Sequence, residues 1–194
     1  DEDTGAGSDP GTDVIGQLYD PIGNAIGGEF RLNNSFFGDD EQDMELAALP
    51  GGGFISVFED NSATGTSIRL NEYDADGDQV SGNVTVVSDA SAADPIYRDP
   101  AVAVSSSTSV LIVYEKFDGF PGIFGKIYNP TTNTYGAEIE LILNAAGNDT
   151  RDADVAVLSN GNYVIAADRS GADNSIVYRI VDSAGANVLV SSFV

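Results

Sequence analysis

The chain of 194 residues is strongly acidic, with 31 Asp and Glu residues against 8 Lys and Arg residues and a formal net charge of −23. This balance excludes a nucleic-acid partner, because phosphate binding needs a basic surface, and it disfavours anionic membrane surfaces for the same reason. The chain has neither Cys nor His, so thiol nucleophiles and the commonest general base are missing. No apolar stretch approaches the ~20 residues needed for membrane insertion.

Residues 1–13 are rich in Gly, Asp and Ser and predict a flexible acidic leader or linker. From residue 14 to residue 194 we predict a single domain made only of strands. Short β-rich runs alternate there with Gly, Asn and Asp, and no apolar helical spacing persists over ten positions. The domain divides into a half unit at about 14–33 and full units at about 44–87, 100–143 and 153–193.

Two registers define these units, and both repeat about every 54 residues. The first is an aromatic or apolar residue followed by Asp or Asn, at Tyr19, Tyr73, Tyr128 and Val181. The second is an Asp that opens an apolar run, at Asp43, Asp99 and Asp152. A fixed period of this size indicates one supersecondary unit repeated along the chain.

Each full unit is predicted to hold four antiparallel strands. In the unit at 100–143 the expected strands are 100–105, 109–116, 123–129 and 136–143. The first two strands are apolar on both faces, whereas the outer two approach solvent, a gradient typical of β-propeller blades. We therefore predict an all-β, β-propeller-like fold of repeated four-stranded antiparallel sheets with about three and a half blades. A β-sandwich or a linear array of sheets is the alternative.

The half unit at 14–33 supplies only an outer pair of strands. Propellers usually need about four to eight blades to close, and an unpaired strand edge is a template for joining another chain. We therefore expect the chain to be a piece of a longer protein, or to pair with itself or with other surface-protein chains.

The hairpins also resemble a known kind of repeat. Residues 16–33 read GQLYDPIGNAIGGEFRLN, and the inner hairpins contain the runs 47–54 and 155–163. Together they resemble the β-propeller-like repeats of large secreted, calcium-rich bacterial surface proteins associated with repeats-in-toxin proteins. The resemblance covers residues 14–194 and implies a propeller-like fold with an adhesive or scaffolding role. Where that family has a Trp, this chain has Phe58, Tyr114 and Ala167.

The sharpest local motif is a set of three carboxylates at alternate positions around a glycine, at Asp74, Asp76 and Asp78. Such a loop can direct oxygen ligands at a hard cation, so Ca²⁺ is the candidate cofactor. The alternative is a solvated hairpin turn, because the matching turns that begin at Asp20 and Asp182 are ordinary.

Acids also recur in the loops that enter the inner strands and at the ends of the second strands. The first group, which contains Asp43, Asp99 and Asp152, could ligate cations or could cap turns and pair with Arg. The second group, Glu59, Glu115 and Asp168, could form a carboxylate ring near a propeller mouth and hydrolyse glycosides. Because all of them repeat with the unit, we assign them to the scaffold and predict that the protein is not an enzyme.

Aromatic residues expected in loops are the candidate binding platform. They are Phe117, Phe120 and Tyr97. Taken together, the sequence predicts an extracellular or cell-surface structural protein that adheres or self-assembles through open strand edges and is stabilised by calcium. The alternative is a glycan-binding module of a larger secreted protein, with polysaccharide as its partner.

Overall fold

A computed structural model describes residues 13–33, 40–62, 65–88, 96–118, 121–143, 148–171 and 174–192. Within these ranges the chain forms fifteen strands and no helix. All strand pairs are antiparallel and fall into four sheets that follow one another along the chain. The prediction of an all-β, propeller-like fold with three and a half blades is therefore confirmed.

The first sheet is the half blade, made of β1 (Ile15–Tyr19) and β2 (Ala25–Arg31). The first full blade contains β3 (Asp40–Ala48), β4 (Phe54–Ser62), β5 (Gly65–Tyr73) and β6 (Gln79–Ser88). The second contains β7 (Ile96–Ser106), β8 (Ser109–Phe117), β9 (Pro121–Asn129), β10 (Thr134–Tyr135) and β11 (Ile139–Ile142). The third contains β12 (Asn148–Val157), β13 (Tyr163–Gly171), β14 (Ser175–Val181) and β15 (Asn187–Ser192).

The fourth strand of the second full blade differs from the prediction of one strand at 136–143. Both β10 and β11 pair with β9, and the register shifts by one residue between the two pairings. The N–H group of Gly136 still donates to the carbonyl of Ile127 at 2.8 Å. The interruption is therefore a bulge within one outer strand, and it leaves the blade with four strand positions.

The hydrophobic core lies between successive blades. In β4, Ile55 and Val57 are completely buried and pack with residues of the second full blade. In β8, Leu111 and Val113 pack instead with residues of the third. Side chains alternate between the two faces of a strand, so each inner strand of the second full blade contributes to two cores. This arrangement explains why the inner strands read as continuous apolar runs.

The half blade packs against the first full blade. Leu32 is 1% exposed and clusters with Tyr73, which is also 1% exposed. The Tyr73 hydroxyl donates to the Leu32 carbonyl at 2.8 Å, and its ring stacks on Phe54 with centroids 4.9 Å apart. The half blade thus occupies the position of the outer strands of a preceding blade.

Candidate functional site

Three aspartates hold an unusual backbone conformation at matching positions of the full blades. Asp43, Asp99 and Asp152 have φ values of 50°, 48° and 50°. Left-handed φ values are uncommon outside glycine, and Asp and Asn tolerate them best among the other residues. Each of the three lies where the first strand shifts register by one residue against the second. The repeated Asp therefore forms a β-bulge on the innermost strand of each full blade.

The bulges of the second and third full blades are held by acids of the preceding blade. The N–H group of Asp152 donates to the Glu115 carboxylate at 2.8 Å, and that of Asp99 donates to the Glu59 carboxylate at 3.4 Å. Glu115 is 1% exposed and also accepts from Arg98 Nε at 3.0 Å. A buried carboxylate therefore ties each pair of adjacent full blades together.

These acids converge in two groups that share Asp99. The first joins it to Asp43 and Glu59, and the second joins it to Glu115 and Asp152. Within each group one oxygen per residue lies within 4.8 Å of the others. Carboxylates this close repel one another unless donors or cations separate them.

An open depression of about 340 Å³ lies beside these groups. Its lining comes from the first strands of all three full blades and includes four carboxylates but no basic side chain. The lining residues are Asp43, Met44, Glu45, Asp99, Pro100, Ala101, Ala153 and Asp154. The lining therefore combines negative charge with a few apolar side chains.

Burial and crowding raise the pKa of three of these carboxyl groups. Loss of hydration raises the pKa of Glu115, against the lowering effect of the Asp152 N–H and of Arg98. Burial likewise raises the pKa of Glu59. For Asp99, burial is the main cause and the charge of Asp43 adds to it. Asp99 is the one of these three that also lines the depression.

The predicted calcium motif forms a hairpin turn. One oxygen of Asp74 accepts the N–H groups of Asp76 and Asp78, each at 3.0 Å. The same pair of bonds occurs at Asp20 and at Asp182, whose turns carry no such acids at the matching positions. One Asp74 oxygen is therefore committed to the backbone, and the described acids that converge within 4.8 Å lie elsewhere. Calcium binding at this turn stays a prediction.

The predicted aromatic platform is only partly in view. The prediction that Tyr97 lies in a loop is wrong. Tyr97 lies in β7, is 7% exposed and packs edge-on against Tyr114. Phe117 ends β8 and is half-buried, and Phe120 lies outside the described residues. The strand end that contains Tyr97 was missed because β7 begins four residues before the predicted start and runs through the bulge at Asp99.

The second-strand acids do not form a ring at the mouth. Glu59 and Glu115 are buried in the junctions between blades, whereas Asp168 is exposed at the end of the series. Sequence reasoning also missed Glu45, which lines the depression. The repeat contained a signal for it, because an acid lies two residues after the bulge Asp both at Glu45, after Asp43, and at Asp154, after Asp152.

No protein-family model and no curated protein matches the sequence. Solved structures do match. An α-L-arabinanase from Penicillium chrysogenum, complexed with arabinobiose, aligns with a TM-score of 0.61 and 14% identity over 88% of this chain and 54% of that one. The Hadza microbial sialidase Hz136 aligns with a TM-score of 0.51 and 11% identity over 72% of this chain and 34% of that one. At such identities the likeness shows the fold alone, which is a β-propeller.

The chain spans about half the length of the arabinanase, since the alignment covers 54% of that protein. Both similar structures carry enzyme names. The prediction that the protein is not an enzyme is therefore wrong as reasoned, because periodic acids on this fold give no ground for excluding catalysis.

The propeller implied by the family resemblance is confirmed, whereas membership of a calcium-rich surface family stays a prediction. The described residues contain no helical segment long and apolar enough to span a bilayer.

Proposed function

We propose that this chain belongs to a glycan-binding propeller and receives a neutral carbohydrate in the acid-lined depression. The depression itself supports this proposal, because carboxylates from all three full blades line it together with apolar side chains. The similarity to a propeller complexed with arabinobiose supports a carbohydrate ligand. It favours this reading over the adhesive role predicted from the repeats.

The chemistry of the lining suits sugar hydroxyl groups. Ionised carboxylates act only as hydrogen-bond acceptors, and hydroxyl groups are donors that match them. Met44 is partly exposed and offers apolar surface to the C–H face of a sugar ring, whereas Pro100 and Ala101 are buried beside it. Glu45 and Asp154 are exposed, so their oxygens are available to a ligand that enters from solvent.

The charge of the lining selects against anionic sugars. The lining contains four carboxylates and no basic side chain. Arg98 lies 3.6 Å from one of them, Asp99, so the lining keeps a net negative charge that would repel a ligand carboxylate at close range. The proposal therefore names neutral glycans, such as arabinose oligomers, as the ligand class. Because polymeric glycans are met outside cells, it retains the extracellular or cell-surface location.

Calorimetric titration with arabinobiose, and with sialyllactose as an anionic probe, tests the proposal. We expect binding of the neutral sugar only, and Glu45→Gln should weaken it about tenfold through loss of a charged acceptor. Glu140→Gln is the matched control, because Glu140 is an exposed acid on an outer strand. Preferential binding of sialyllactose, or equal effects of both variants, would contradict the proposal.

Glycoside hydrolysis is the second candidate, and the convergence of Asp43, Glu59 and Asp99 favours it. Paired carboxyl groups about 5–5.5 Å apart are typical of retaining glycosidases, and the oxygens here lie within 4.8 Å. Asp99 is half-buried with a raised pKa, which suits a general acid. Glu59 and Glu115 are less suited, because both already accept bonds within the scaffold.

Release of reducing ends from arabinan measures this activity. Asp99→Asn should abolish it while the fold is kept, since Asn tolerates the left-handed backbone. If Asp99→Asn is as active as Glu140→Gln, Asp99 is not the general acid. If the native chain releases no reducing ends from arabinan, the protein does not hydrolyse this glycan.

A further inference from the structure

Among the residues that the structure describes, the half blade and the third full blade each have one face that no other blade covers. We call the side of a blade that faces the next blade along the chain its leading face, and the opposite side its trailing face. On the leading faces of the first and second full blades, Ile68 and Ile123 are 0% exposed. Ile176 has the matching position in the third full blade and is 52% exposed. An apolar position that is buried at each internal junction is therefore open to solvent here.

The trailing face of the half blade shows the complementary pattern. Tyr73 and Tyr128 are 1% and 0% exposed, because each packs against the preceding blade. Tyr19 holds the same place in the half blade and is 63% exposed. A buried aromatic position of the junction is thus uncovered at the other end of the series.

The outer turns repeat the contrast. A Cβ atom added to Gly77 would meet Leu18 at 3.1 Å, and one added to Gly185 would meet Ile139. These neighbours belong to the preceding blade in both cases. Gly23 is the matching glycine of the half blade, has the same left-handed backbone with φ 88°, and has nothing within 4 Å. The turn therefore has the shape that accommodates a preceding blade, and its glycine is open on that side.

Hydrogen bonds across the junctions follow the same repeat. A polar side chain of the third strand donates to the carbonyl at the end of the preceding blade's outermost strand. The pairs are Asn71 to Leu32, Lys126 to Val86 and Arg179 to Leu141. Gln17 is the residue of the half blade at that position, and its amide nitrogen donates to the carbonyls of Leu18 and Ile26 in its own sheet. Both amide hydrogens of Gln17 are thus engaged within the half blade, and one of these two bonds must be exchanged before Gln17 can donate to a carbonyl outside it.

We propose that a second copy of this chain packs its half blade on the leading face of the third full blade. The two open faces are the two sides of a junction that the chain already builds between its full blades, so each copy offers both halves. Such an interface is heterologous and propagates head to tail into rings or filaments. The contacts use outer strands, and the acid-lined depression on the inner strands is not part of them.

Net charge opposes this association and makes it depend on salt. Each copy carries −23, and the repulsion is screened over about 10 Å at 0.1 M salt and about 3 Å at 1 M. Sedimentation velocity of the intact chain from about 1 μM to 1 mM, at both salt concentrations, is the measurement. We expect species that are multiples of 20.2 kDa, and more of them at high salt. A chain that stays at 20.2 kDa throughout overturns the proposal and leaves another protein segment as the cover.

Three variants separate this interface from nonspecific contact. Ile176→Glu and Tyr19→Glu place a charge in the two faces and should each weaken association at least about tenfold. Val80→Glu is the control, because Val80 is 58% exposed on the outermost strand of the first full blade, which is flanked on both sides. An equal loss in Val80→Glu would contradict the assigned surface.

Mixing the two weakened variants gives the sharpest result. The Tyr19→Glu chain keeps a competent third blade, and the Ile176→Glu chain keeps a competent half blade. An equimolar mixture should therefore form 1:1 dimers and nothing larger, whereas each variant alone stays monomeric. Failure of the mixture to dimerise would refute the head-to-tail geometry.

Discussion

Replacement of Glu115 by Ala tests whether buried carboxylates hold adjacent blades together. Glu115 is 1% exposed and accepts the Asp152 N–H at 2.8 Å and Arg98 Nε at 3.0 Å. Truncation leaves the Asp152 N–H without its acceptor, which costs about 1–3 kcal/mol, and opens a small cavity. Arg98 loses less, because its side chain is 31% exposed and Asp99 lies 3.6 Å away.

One effect acts in the opposite direction. Burial raises the pKa of Glu115, so removal of the carboxylate also recovers part of its lost hydration. We therefore expect a net loss of about 2 kcal/mol in the free energy of unfolding. For a chain of this size that corresponds to a melting temperature lower by roughly 4–8 °C.

Thermal and urea unfolding followed by circular dichroism measure this change. Asp168→Ala is the matched control, because Asp168 holds the same repeat position but is exposed. Its loss should stay within about 0.5 kcal/mol. Equal losses in the two variants would show that the tie between blades contributes nothing beyond the local strand, and the reasoning would be refuted.

Three further predictions follow from single features. Burial raises the pKa of Glu59 and Glu115 above the usual 4.5, so the folded chain binds more protons than the unfolded chain at pH values between the unfolded and the folded pKa. The melting temperature should therefore rise as the pH falls from about 7 towards 5, and a lower melting temperature would contradict this. Calcium at the Asp74 turn predicts a melting temperature lowered by EDTA, and an unchanged value removes calcium. Gly53→Ala should lower the free energy of unfolding by about 2 kcal/mol, because φ is 82° and the new Cβ would overlap the Tyr73 carbonyl. Gly51→Ala is the control: its new Cβ meets nothing within 4 Å, so the loss in the free energy of unfolding should be about half as large.

The sequence predicts the architecture well because the repeat and the apolar runs are one-dimensional signals. The spacing of Tyr19, Tyr73 and Tyr128 reveals the repeat, and the apolar runs that follow Asp43, Asp99 and Asp152 mark the full blades. Outer-strand details are harder, since a bulge such as that beside Gly136 depends on one additional residue and not on composition.

The site was less predictable, because it depends on conformations that break the two-residue alternation of a strand. Asp99 reads as the start of an apolar run, yet its left-handed backbone turns its N–H towards Glu59 of the preceding blade. The same geometry draws Glu59 and Glu115 into the junctions, away from the mouth where their positions at strand ends suggested a ring. Contacts between residues about 40 positions apart are set by blade packing, which no local pattern encodes.

The bulge aspartates carry two roles that can be separated. Their backbone needs a residue that tolerates positive φ, and Asn meets that need as well as Asp. The residue before the bulge varies between Gln42 and Arg98, whereas each bulge keeps an acid despite the repulsion from its neighbours. Backbone geometry therefore does not account for the charge. Asp43 and Asp99 line the depression, whereas Asp152 does not, so the proposed ligand site accounts for the charge at the first two bulges. Asp99→Asn should consequently preserve or raise stability while weakening arabinobiose binding; a less stable variant that binds the sugar equally well would assign the charge to the scaffold.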